Sequence, residues 1–187
     1  MKKYWDQAIS FEEYVEIANQ RLHNPTTEQD IEYKQYYELG IQRMDRMVKK
    51  YERDEEQLKE LQSKNFGGKI LIISEAWCGD ASAAVPVLAK FFEEQNEVKV
   101  FLRDQDTTLI DQYLTNGTQS IPKVLILDEN FEVINTWGPR PKHGLELLLK
   151  FKTDPENFPK EQFYNDLQMY YSKNRGKDTI QEILELI

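Results

Sequence analysis

Lys69-Ile70-Leu71-Ile72-Ile73-Ser74-Glu75-Ala76-Trp77-Cys78-Gly79-Asp80-Ala81 is the stretch that decides the fold. Lys69 to Ser74 is a continuous apolar run, the pattern of a strand covered on both faces. Beyond Gly79 the period changes. Ala81, Ala84, Val87, Leu88, Phe91 and Phe92 recur at helical spacing.

Downstream, Val98 to Leu102 predicts a second strand, and Thr107 to Leu114 a short helix stopped at Asn116-Gly117. Two more strands follow, Lys123 to Leu127 and Glu132 to Trp137, joined by the hairpin-length Asp128-Glu129-Asn130. Gly144 to Phe151 then reads as a helix. The order strand, helix, strand, helix, strand, strand, helix implies an α/β sandwich, with parallel strands first and an antiparallel hairpin closing the sheet. Phe158 to Ile187 adds two helices. Asp178 is the expected cap of the last, with Ile180, Ile183, Leu184 and Ile187 as its apolar stripe.

Upstream, Asn65-Phe66-Gly67-Gly68 is a turn that separates an N-terminal helical extension, residues 1–64, from an α/β domain with its C-terminal helices, residues 65–187. Ser10 and Glu13 fit a capping box ahead of Phe11, Tyr14, Val15, Ala18 and Leu22. Asn24-Pro25 breaks that helix, and Thr26 with Gln29 starts another. Along it Tyr33, Tyr37, Ile41, Met44, Val48 and Tyr51 form a stripe that must pack on the first helix, the α/β domain or a second subunit. The charged run Lys49 to Lys64 reads as the solvated end of that helix.

The 187 residues suit one domain with an appendage, and 40% hydrophobic content supports a core. Acidic residues outnumber basic ones 33 to 24, for a net charge of −9. That balance argues against nonspecific nucleic-acid binding and against docking on anionic lipid. No segment approaches the roughly 20 apolar residues of a membrane span, and the N-terminus lacks an apolar signal region. One cysteine allows no internal disulfide, so a cytoplasmic setting is expected. His23 and His143 have no companions at metal-ligand spacing, so neither a metal nor a cofactor is expected. Asp104-Gln105-Asp106 reads as a turn or cap. Gly138-Pro139-Arg140-Pro141 reads as a rigid turn.

Three local features carry a family resemblance: Trp77-Cys78-Gly79 at the end of a buried strand, Pro86 eight residues beyond Cys78, and Ser120-Ile121-Pro122 before a strand. In this order they resemble the thioredoxin family over Lys69 to Phe151. The resemblance implies a central mixed β-sheet flanked by helices, with Cys78 as the catalytic group. It also implies a cis proline at Pro122 facing the cysteine, and a substrate edge formed by Trp77, Gly79, Asp80, Ile121 and Pro122. The departures are as informative. Ala81 replaces the second cysteine, Asp80 the motif proline, Ile72 the buried aspartate and Val100 its lysine neighbour. A single cysteine excludes dithiol chemistry.

A thiol at a helix N-terminus is expected to be moderately activated, with Asp80 either opposing this or capping the helix. Lys123 and Arg140 are expected near the site, where either could attract an anionic thiol. Two functions follow. One is monothiol exchange or redox sensing through Cys78, with a low-molecular-weight thiol or protein disulfide as partner and an external resolving thiol. The other is a non-catalytic binding or assembly module of thioredoxin fold. A homodimer through the helical faces fits either.

Overall fold

The computed structural model describes residues 1–187. Strands β1 (Lys69–Ser74), β2 (Val98–Leu102), β3 (Lys123–Leu127) and β4 (Val133–Trp137) form one sheet in the order β2-β1-β3-β4. β1 runs parallel to β2 and antiparallel to β3, and β4 is antiparallel to β3. The parallel pair needs a crossover. Helix α6 (Ala81–Phe92) supplies it, with Pro86 inside. Ile70–Ile73 and Val124–Leu127 are fully buried at the sheet centre, which is why their sequences show no polar alternation.

The extension holds α1 (Lys2–Trp5), α2 (Phe11–His23), α3 (Glu28–Glu32), α4 (Lys34–Lys50) and α5 (Glu55–Lys64). The Ser10–Glu13 capping box forms as the sequence predicts. The next helix differs from expectation in three places. Its cap is Thr27, with Asp30 in the box position, because the Asp30 carboxylate accepts from the Thr26 and Thr27 amides. The helix then breaks at Tyr33 into α3 and α4. Finally, Lys49 to Lys64 is no solvated helix end. The chain turns extended at Tyr51, and Asp54 caps α5 by accepting from Glu56 and Gln57. Buried Gln57 then donates to the Lys177 carbonyl.

Beyond the sheet lie α7 (Lys142–Thr153), α8 (Lys160–Asn174) and α9 (Lys177–Leu184). Asp178 does not cap α9. The helix starts after Gly176, whose φ of +83° favours glycine, and Asp178 accepts from the Tyr170 hydroxyl instead. The helix expected over Thr107 to Leu114 is only a 3₁₀ turn at Ile110–Gln112, since so short a segment lacks the length to sustain an α-helix.

One core of 34 buried residues runs from Tyr4 to Leu184 and takes in Tyr14, Tyr37 and Met44 of the extension. The tyrosine stripe therefore packs inward, as core. α4 also approaches the sheet end closely. A Cβ on Gly40 would collide with the Ala76 carbonyl, so the bare glycine lets the helix rest on the loop after β1. A smaller cluster of Ala83, Phe158, Phe163, Leu167 and Tyr171 seats α8 on α6.

Candidate functional site

The loop between β1 and α6 carries Trp77, Cys78, Gly79 and Asp80. These four, with Ile121, line a cleft of about 750 Å³. Pro122 is buried behind it, and the Ile121–Pro122 and Gly138–Pro139 peptide bonds are cis. Arg140 reaches the cleft. Lys123 does not: it is buried on β3 and donates to Thr115 Oγ1 at 3.2 Å.

Cys78 is only 9% exposed, and its thiol donates to the Ile121 carbonyl at 3.4 Å. The Ile121 carbonyl, on the expected substrate edge, therefore already accepts from the cysteine. The Ala81 and Asp80 amides face the sulfur, as a helix N-terminus should provide. They do not prevail. Burial, then the neighbouring Asp80 charge, push the thiol up to about 12, so the expected activation is reversed. Ile72 and Val100, which replace the family's titratable pair, are buried opposite one another in the β1–β2 register. They offer the thiol no acid–base help.

Two buried carboxylates flank the cysteine. Glu75 is fully buried. It accepts from Arg21 Nη1 at 2.9 Å and from the Asp104 amide at 2.8 Å, and Arg21 also donates to Tyr37. Burial raises its pKa, against the lowering effect of the Asp104 amide and Arg21. Asp80 meets Arg140 Nη2 at 2.6 Å and the Tyr171 hydroxyl at 2.8 Å, which is why it makes no capping bond. Burial raises its pKa too, against the effects of Arg140 and Tyr171.

The outer wall is aromatic and cationic. Tyr33 packs edge-on against Trp77, ring centroids 5.1 Å apart, and the Arg103 guanidinium covers the same indole at 5.1 Å. Trp77 Nε1 donates to Asp104 Oδ2 at 3.0 Å, and Asp104 also pairs with Arg103. Asp104 therefore does more than turn the chain: it fixes the indole, while Asp106 accepts from the Thr108 amide as a turn residue should. Tyr36, Arg43, Lys160, Tyr164 and Gln168 complete the wall. None was a site candidate from sequence. Tyr33 read as stripe core, and the others carry no local motif, because the fold brings them together from α4 and α8.

A family model described as thioredoxin matches residues 26–156. The chain belongs to the thioredoxin family. For this thioredoxin-family chain, the match begins inside the helical segment that precedes the sheet. A search of curated proteins finds no match. Among solved structures, the chain is similar to a protein of unknown function from Pseudomonas aeruginosa. The two share 19% identity at a TM-score of 0.63, covering 97% of this chain and 92% of that one. It is also similar to an HIV epitope scaffold at 19% identity and a TM-score of 0.57, covering 95% and 97%. At such identity the likeness shows the fold alone. No helix is long and apolar enough to cross a membrane.

Proposed function

We propose that the Trp77–Asp80 cleft is a ligand-binding site and that the chain acts as a thioredoxin-fold binding module, with Cys78 as a protonated floor group. The state of the thiol supports this reading. With its pKa near 12, Cys78 holds a thiolate fraction roughly three orders of magnitude below that of free cysteine at pH 7. A cleft of about 750 Å³ is in the range of small-molecule sites, and its aromatic and cationic wall offers contacts that do not require a nucleophile. A cytoplasmic setting suits a chain with one free thiol.

One observation favours monothiol exchange as a second reading. Cys78 borders the cleft with two helix amides facing its sulfur. In that chemistry its thiolate attacks a disulfide sulfur and expels the other as thiolate. An external thiol then displaces the bound half and restores Cys78. The measurement that separates the two is alkylation of Cys78 followed by mass across pH. A thiol that reacts only at strongly alkaline pH fits the binding module. An apparent pKa below ~8.5 would replace it with the exchange reading.

A further inference from the structure

Arg43 lies on α4, partly buried in the cleft wall. No hydrogen bond or ion pair engages its side chain. The charges that bear on it are Arg46, which repels it, and Asp80, which attracts it. Asp80 is already matched to Arg140 at 2.6 Å, and Arg103 to Asp104. Arg43 is thus a partly buried cation whose one attracting charge is already committed to another partner, in a protein of net charge −9.

Its position is specific. A Cβ on Gly79 would stand 3.2 Å from Arg43 Nη1 and 3.8 Å from the Gln168 side-chain nitrogen. Gly79 has no left-handed φ to require glycine. The bare Cα instead leaves room for two donor groups to converge beside Cys78. Arg140, which lines the same cleft, holds a second unmet donor: its Nε is buried and has no acceptor. Around these donors stand Trp77 and the half-exposed rings of Tyr36 and Tyr164.

We propose that Arg43, over the bare Cα of Gly79, anchors the carboxylate of a small organic anion whose body lies against Tyr36, Trp77 and Tyr164. This rests on the reading of the cleft as a binding site. A guanidinium presents a planar fork of donors that fits a carboxylate, which a point charge does not. The cleft volume suits a molecule the size of a capped amino acid or short peptide fragment. Nothing in this recognition needs the thiol to ionise.

The test is an NMR titration of the full chain, reading the Trp77 indole and Gly79 amide. The probes are N-acetyl-tyrosine, which carries a carboxylate, and N-acetyl-tyrosinamide, which does not. The carboxylate should bind at least about tenfold more tightly. Arg43→Gln should abolish that preference while leaving the spectrum folded. Arg46→Gln, one turn further along and outside the cleft, should keep it. Equal binding of both probes, or a preference that survives Arg43→Gln, overturns the inference and leaves the binding module standing. No response to either probe overturns both.

Discussion

Glu75 and Asp80 are both buried carboxylates, five residues apart, on either side of Cys78, yet they do different work. Glu75 takes its cation, Arg21, from α2 of the extension, and its amide donor from Asp104, just beyond the end of the adjacent strand β2. Asp80 takes its cation, Arg140, from the turn before α7, and its hydroxyl donor, Tyr171, from α8. The first ties the front of the chain to the sheet. The second ties the back of the chain to the cysteine loop. The second bears more strongly on the thiol, because Asp80 and Arg140 are among the groups that act most on Cys78. Burial alone therefore does not mark a functional carboxylate. What matters is whether its field reaches the reactive atom.

Breaking the Glu75 side should have the largest effect. Glu75→Gln removes the close, fully buried partner of Arg21, leaving it only the Asp30 carboxylate at 3.9 Å, and should cost about 3 kcal/mol, read by urea unfolding. The alkylation rate of Cys78 should stay within about twofold, since the charges that act most on it, Asp80 and Arg140, are unchanged.

Cys78 itself comes next. Its folded pKa lies above the unfolded value, so the thiol contributes stability below the unfolded pKa. That stability is lost as pH rises toward about 12. The loss should approach ~1.4 kcal/mol per pH unit in the alkaline range. Cys78→Ser should remove that slope, seen as a flatter difference in unfolding free energy between pH 9 and pH 11.

Asp80→Asn deletes a like charge beside the sulfur and frees Arg140 to favour the thiolate. Both changes lower the Cys78 pKa, and alkylation at pH 8 should speed up by about tenfold. Should Asp80→Asn leave the rate untouched while Glu75→Gln raises it, the assignment of roles is reversed. The smallest effect belongs to Tyr171→Phe, which removes one hydrogen bond to a charged group. It should cost about 1.5 kcal/mol in thermal or chemical unfolding.

The sheet was legible because its signals are local. Ile70–Ile73 and Val124–Leu127 are unbroken apolar runs, and the Ser10–Glu13 box spans four residues. The cysteine loop was legible as a motif, but the state of its thiol was not. Helix-end amides can be anticipated from Cys78 preceding α6. The burial that outweighs them involves distant residues such as Ile121, whose carbonyl, 43 positions on, accepts from the thiol. Arg43 and Tyr36 were hidden for the same reason. On α4 they read as the solvated flank of an apolar stripe, and only the packing at Gly40 turns that flank toward Cys78.

Gly40 has a mechanical consequence. The helix rests on the Ala76 carbonyl with no side chain between them, so α4 is held like one jaw of a vice whose clearance is set by a single missing methyl group. Restoring that group would act as a shim. The jaw carrying Tyr36 and Arg43 would shift away from the fixed jaw at Cys78 and Asp80, and the opening would widen with no new polar or charged group in its lining. The aperture of this site is thus set by a lining residue that has no side chain of its own, and sequences that vary at Gly40 would be expected to admit ligands of different girth.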